Sequence, residues 1–408
     1  MDAAQEQKRQ ERLAKFSLPL LTSNFASVFG EGVYRFGLNW FLVSTYGNAE
    51  LLGWLTGFGF IVYLLNDMYV GAVLDRFNRK WVLVLSDLFG AIGMIALSLM
   101  INPDSPQTWI LFAITAVMYI DISYAYPSGR AILPDVIKKS SLARFNAYVS
   151  AAFSAGQALG PLIGGILLRM DWINLRSFMF LYGMLLLVTA GINLIIKTHP
   201  QPIIETSESF VESLKNGFKY VYRMPKLFES MLVTVWANFC FEAFIISMPF
   251  LVQKTYNGSA QKYSLALTAA AVSGIAAGFI LARYTKFNNL DTLYTDFFVL
   301  GLAFVLAAFI NIMWALILVI ILNGFVRSAF VIKVNTVRQE ESSSEYLGRV
   351  FGLSFFATDL FVPIVSITFG YGVSKMGVWS LLVIGMMMIV GMILIRLYMR
   401  RRYQAAQI

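Results

Sequence analysis

Glu31 and Arg35 stand four residues apart in an otherwise apolar stretch, acid first, the order in which a pair on one helical face interacts best. Asp121, Glu242 and Asp359 each fall near the middle of other apolar stretches, and Arg327 lies in the inner half of another. A charge at the centre of a membrane span costs about 2.5–3.5 kcal/mol on insertion scales, so each one needs a reason. Two kinds of chemistry suit them: a structural ion pair, or reversible uptake of a proton. Burial in an apolar cavity favours the protonated form of a carboxyl, and a cationic ligand favours the ionised form, so proton and cation compete for one site. Glu31, Asp121, Glu242 and Asp359 are therefore the candidate proton carriers, with Arg35 and Arg327 as charge partners. Asp67, Asp87, Asp296, Arg130 and Lys333 sit nearer the ends of their stretches, where snorkelling or structural pairing is expected.

Other chemistries lack their side chains. The only histidine, His199, lies in a polar connector, and the only cysteine, Cys240, lies in an apolar run, so neither a metal site nor a catalytic nucleophile nor a disulfide can be assembled. No G-x-x-x-x-G-K-[ST] phosphate loop occurs, so an ATP-driven pump would need a partner chain. The expectation is a non-enzyme without cofactor or metal.

The elements that must hold these charges are set by composition. Of 408 residues, 58% are hydrophobic and 13% charged, against about 25% charged in a typical soluble domain. Mean hydropathy is +0.67. At about 20 apolar residues per span, a chain of this length accommodates roughly a dozen transmembrane helices. Twelve apolar segments are visible: 16–45, 50–74, 80–101, 107–134, 144–168, 176–197, 227–252, 261–285, 291–311, 313–334, 348–373 and 377–399. They lack strand alternation and are too long for barrel strands, and hydrocarbon demands that backbone polar groups pair internally, so each is expected to be a helix.

Lys and Arg set the orientation. Five of the 32 (Arg169, Arg176, Lys254, Lys262, Lys375) fall on one side, Arg35 and Arg327 lie within spans, and the other 25 fall on the side of both termini. Both termini are thus expected in the cytoplasm of a cell-membrane protein. No cleavable leader is expected, since the first 15 residues are too charged for one. The net charge of +9 is scattered between apolar runs, which argues for topology and against nucleic acid. Expected domains are an N-terminal tail (1–15), a six-helix bundle (16–197), a cytoplasmic linker with an interfacial helix (198–226), a second six-helix bundle (227–399) and a C-terminal tail (400–408). Six plus six suggests two repeats about a pseudo-twofold along the membrane normal. A faint echo agrees: Gly71, Arg76 and Arg79 after span 2 recur as Gly278, Arg283 and Lys286 after span 8, with Ala282 where the first copy has Asp75.

Two motifs carry a family resemblance. Gly71-Ala72-Val73-Leu74-Asp75-Arg76-Phe77-Asn78-Arg79-Lys80 resembles the G-x-x-x-D-R-x-G-R-[RK] loop of the major facilitator superfamily, with Asn78 at the second glycine. The resemblance implies a gating cluster in which Asp75 pairs with Arg76 or Arg79. Gly156-Gln157-Ala158-Leu159-Gly160-Pro161-Leu162-Ile163-Gly164-Gly165 in span 5 resembles the G-x-x-x-G-P-x-x-G-G signature of the superfamily's antiporters, which marks exporters. Gly156, Gly160 and Gly164 form a flat stripe, Pro161 removes a backbone donor, and span 8 offers Ala270, Gly274, Gly278 and Ala282, so spans 5 and 8 are expected to pack together. Asp87 in span 3, Pro127, Leu133-Pro134, Gly217–Val221 and Gly348–Gly352 narrow the resemblance to a branch of drug/proton antiporters that includes macrolide-efflux and enterobactin-exporter proteins.

The resemblance implies twelve helices in two bundles, and a monomer. Spans 1 and 11 border the central cavity in that fold, which puts Glu31 and Asp359 first among the four acids. Phe36, Trp40, Asn238 and Phe239 are the candidate cavity residues. The expected function is export of a hydrophobic or amphipathic small molecule in exchange for protons by alternating access. Export or flipping of a siderophore or lysolipid, or an uncoupled transporter-like sensor, stays open beside it.

Overall fold

The computed structural model describes residues 11–170, 173–199, 210–284, 289–343 and 346–406. Among them the helices are α1 (Leu18–Tyr46), α2 (Glu50–Arg76), α3 (Arg79–Met100), α4 (Thr108–Ala131), the short α5 (Leu133–Val136), α6 (Lys139–Leu167), α7 (Leu175–Ile195), α8 (Phe210–Arg223), α9 (Pro225–Phe250), α10 (Ala260–Arg283), α11 (Leu290–Ile310), α12 (Met313–Glu341), α13 (Leu347–Asp359), α14 (Val362–Met376) and α15 (Trp379–Ala406). A π turn, Leu251–Thr255, continues α9. The one extended pairing among the described residues is an isolated bridge between Ala14 and Ile137. Eleven rods among the described residues are long and apolar enough to cross a membrane, α13 and α14 counting as one. The remaining span is α1, 29 residues long and made less apolar by Glu31, Arg35 and its amide and hydroxyl side chains. Side chains such as Phe279 and Trp314 are 75% and 74% exposed, as helices that are apolar all round must be when lipid is their solvent.

Contacts divide the chain into two compact units. The first holds α1 as far as Phe41, α2 from Phe58, and α3 to α7. Asn78 caps α3 by accepting from the Lys80 N–H at 3.0 Å, and Asn174 with Ser177 forms a reciprocal cap on α7. α3 packs along both α4 and α7. The segment before α1 is pinned to the loop after α5: Ala14 N–H donates to Val136 O at 2.9 Å and Lys138 N–H to Ala14 O at 2.8 Å.

The second unit holds Leu42–Gly57 and the helices from α8 onward. The end of α1 and start of α2 join it through glycine: a Cβ on Gly370 would lie 2.9 Å from Gly53 Cα, so the two backbones touch, and Ala49 N–H donates to Ser374 Oγ at 2.8 Å. α10 packs on α12, and α15 lies against α9 and α11. The amphipathic linker stretch is the helix α8, seated on α13 with Tyr220 stacked on Tyr346 at 4.2 Å and accepting from Ser343 N–H at 3.0 Å. Span 11 is interrupted: α13 stops at Asp359 and α14 starts at Val362, with Pro363 in its first turn, where a missing N–H costs nothing.

Candidate functional site

Of the charged residues singled out by spacing, Glu31, Arg35 and Asp121 come together in the first unit. Glu31 and Arg35 pair along α1, Arg35 Nε donating to Glu31 Oε1 at 2.6 Å, with side chains 28% and 37% exposed. Arg35 also donates to the Tyr119 hydroxyl at 3.3 Å and lies 5.2 Å from that ring's centre, so α4 holds the guanidinium from the side away from Glu31.

Two residues beyond Tyr119, Asp121 is 2% exposed, and its Oδ1 has no hydrogen-bond partner among the described residues. Its carboxyl lies over the flat face that α3 presents at Gly90: a Cβ there would stand 3.0 Å from Asp121 Cγ and 2.9 Å from Leu186 Cδ1. One turn earlier on the same face of α3 is Asp87, also 2% exposed, accepting from Asn193 Nδ2 of α7 at 2.8 Å. Asp121 feels the charges of both Asp87 and Glu31. The stacked, fully buried rings of Tyr34 and Tyr182 lie 5.2 Å apart beside this group. Three acids thus stand near one arginine, and that arginine is engaged by Glu31. Asp87 is held by the uncharged side chains of Asn193 and Thr189, which agrees with the structural pairing expected of it, and it lies in electrostatic reach of Asp121.

The second unit matches its charges differently. Lys333 Nζ donates to Asp296 Oδ2 at 2.5 Å, the structural pairing expected of these two. Glu229 takes the hydroxyls of Tyr294 and Tyr403 at 2.5 and 2.6 Å, one per oxygen. Nothing in the spacing of these three residues, on α9, α11 and α15, gave that cluster away. Arg338 donates to Thr234 Oγ1 at 2.6 Å. Glu242 and Arg327 attract one another, and Arg327 sits 5.9 Å from the centre of the Phe241 ring. Asp359 is half-buried, at the last residue of α13.

Of the four cavity candidates, Phe36 is 3% exposed and packed on α6, where a Cβ on Gly164 would come within 2.7 Å of its ring. Phe239 stacks on Trp236 at 5.6 Å, Asn238 donates to Thr234 O at 2.9 Å, and Trp40 is half-buried.

In the loop motif, Gly71 has open space about it. Arg76 is exposed, and the side chain of Asp75 lies outside the described residues, as does Lys286 of the echo. Arg79 pairs with Asp135 at 3.2 Å and donates to Ala131 O at 3.3 Å, while Lys80 donates to Leu194 O at 2.7 Å. The loop therefore ties the start of α3 to the ends of α4 and α7. In the span 5 motif, Gly156, Gly160 and Gly164 are filled by α1: a Cβ on Gly160 would lie 2.8 Å from Gly32 Cα. Span 8 offers Gly274 to α12, 3.2 Å from Gly324 O by the same measure. The span 5 stripe thus seats span 1 and the span 8 stripe seats span 10, each within its own unit. Pro161 and Gly165 lie within the continuous helix α6.

Comparison with known proteins places these features. Residues 20–361 match the profile of the Major Facilitator Superfamily. The chain is 23% identical over 307 residues to a staphyloferrin A transporter of Staphylococcus aureus, covering 74% of this chain and 76% of that one. It is 21% identical over 364 residues to macrolide efflux protein A of Streptococcus pyogenes, covering 87% and 89%. The crystal structure of a bacterial homologue of the human lysosomal transporter Spinster, inward-facing and unoccupied, superposes with a TM-score of 0.73 at 14% identity, over 94% of this chain and 96% of that one.

Proposed function

Because the chain belongs to the major facilitator superfamily, a family of multi-pass membrane transporters, we propose that it exports a hydrophobic or amphipathic small molecule from the cell in exchange for protons. Both termini face the cytoplasm of the cell membrane in this reading, and access to the substrate alternates between the two sides. The observation that carries it is Asp121: a 2%-exposed carboxyl with one oxygen unpartnered among the described residues and two further acids in electrostatic reach. A carboxyl so placed is buried more cheaply as the neutral acid. When the site opens, water solvates the charge and the proton leaves. The partly exposed Glu31–Arg35 pair then forms the polar entry to it, and Asp87 with Asn193 the far wall.

The macrolide efflux and staphyloferrin A transporter relatives support two cargoes, a macrolide-like drug and staphyloferrin A. Competition between proton and cargo for one acid favours a cationic or neutral amphiphile, so the drug-like cargo is preferred. The test uses the purified full chain in proteoliposomes with an imposed pH gradient and no ATP. Ethidium or a macrolide is expected to accumulate until nigericin collapses the gradient. Transport that ignores nigericin, or that needs ATP, refutes the reading.

A further inference from the structure

We propose that the second unit carries a seat for an anionic phospholipid between α11 and α15, at the membrane face where the chain ends. A groove of about 190 Å³ runs there between Tyr294, Phe298, Ile389, Met392, Ile393 and Arg396. Apart from Thr295 and the Tyr294 hydroxyl its flanks are apolar, and Arg396 supplies its cation. Arg396 lies 17 residues after Trp379, about 26 Å along the helix and close to the thickness of the hydrocarbon layer, so its guanidinium stands at headgroup depth. Arg400, one turn further on the same face, is exposed, and Arg401 and Arg402 follow. The first carbons of an acyl chain fit the apolar part of the groove and a phosphate its cationic end, the charge complementarity by which basic pockets at helix ends hold lipid headgroups.

Two further features suit a built seat. Tyr294 is held from behind by Glu229, which itself joins α9, α11 and α15, so the floor of the groove is pre-set. Arg396 is loosely engaged: it lies 5.1 Å from the centre of the Tyr294 ring and 3.7 Å from the mostly exposed carboxylate of Asp291, beyond hydrogen-bond distance. A phosphate would displace Asp291 toward water.

The experiment is native mass spectrometry of the detergent-purified full chain with equal amounts of dioleoyl phosphatidylglycerol and dioleoyl phosphatidylcholine. Wild type is expected to retain phosphatidylglycerol preferentially. Arg396→Gln with Arg400→Gln is expected to reduce that preference about 25-fold, roughly fivefold per arginine. Ile393→Trp, which fills the groove from its exposed side without touching charge, is expected to abolish retention; both variants are first checked for an unchanged elution volume. Equal retention of the two lipids by wild type, or a preference that survives the double arginine change, overturns the proposal. So does displacement of the lipid by millimolar inorganic phosphate with retention intact in Ile393→Trp, which would reveal a plain anion patch. If one variant fails to elute as a monodisperse species, the other decides.

Discussion

Asp121→Asn separates the proton from everything else the residue does. Asn has nearly the shape of Asp, which matters because Asp121 Cγ already lies 3.0 Å from where a Gly90 Cβ would stand, leaving no room for a larger group. If the site is neutral when closed, the amide replaces it with little change in stability, within about 0.5 kcal/mol. If it is charged, the amide removes repulsion from Asp87 and Glu31 and raises stability. In neither case does the protein become less stable. Coupling, by contrast, should vanish. Each exchanged proton contributes a factor of about ten to the substrate gradient per pH unit, since one pH unit corresponds to about 1.4 kcal/mol. Losing one coupled proton at a gradient of one unit, with the membrane potential clamped, lowers steady-state accumulation about tenfold. Exchange of labelled for unlabelled substrate across the membrane, which moves no net proton, should persist. The assay is paired: ΔpH-driven accumulation and counterflow in the same proteoliposomes. Wild-type accumulation by Asp121→Asn refutes the assignment. Loss of counterflow together with accumulation would mean that Asp121 shapes the substrate path rather than the proton path.

Other consequences concern the motifs. Arg79→Gln leaves the 2%-exposed carboxylate of Asp135 short of its cation, and thermal unfolding in detergent should show a loss of about 2–3 kcal/mol, largely restored by adding Asp135→Asn. Failure of the second change to restore stability would show that Arg79 acts elsewhere. Gly160→Ala forces a Cβ to within 2.8 Å of Gly32 Cα, backbone against backbone, and should cost about 1–3 kcal/mol, whereas Gly71→Ala meets open space and should stay within about 0.5 kcal/mol on that ground. Equal thermal shifts for the two would sink the close-approach account.

Much of this architecture is legible in the sequence because lipid enforces it. Runs of about 20 apolar residues have few alternatives to helix, and the Glu31–Arg35 pair follows from helical spacing alone. The partner of a helix face is harder to read. A glycine stripe announces close approach but not by whom: Gly156, Gly160 and Gly164 receive α1, a partner the spacing does not name. Distance from a span's end did not reveal which groups surround Asp87: it shares a face with Gly90, and that face is covered by α4 and α7. The Glu229, Tyr294 and Tyr403 cluster was invisible because a carboxylate satisfied by two phenols needs no opposite charge, so no charge pattern betrays it.

The two units handle buried charge by different means, and that difference argues where proton work is done. In the second unit Asp296 has Lys333, Glu229 has two hydroxyls, and Glu242 has the attraction of Arg327. Each of these acids thus has a cation or a hydroxyl donor facing it. In the first unit Asp121 Oδ1 has no donor among the described residues, and the charged groups acting on Asp121 are the acids Asp87 and Glu31. Neutralising an acid therefore has two distinct signatures. Glu242→Gln strips Arg327 of its counter-charge, so any loss of transport should be recovered when Arg327→Gln is added, because the pair is balanced as a unit. Asp121→Asn has no cation whose removal could compensate it, and adding Arg35→Gln should instead leave Glu31 uncovered and deepen the defect. Measuring ΔpH-driven accumulation across these four variants distinguishes a balanced pair from a proton carrier. Rescue of Asp121→Asn by Arg35→Gln, with none of Glu242→Gln by Arg327→Gln, would move the coupling site to the second unit.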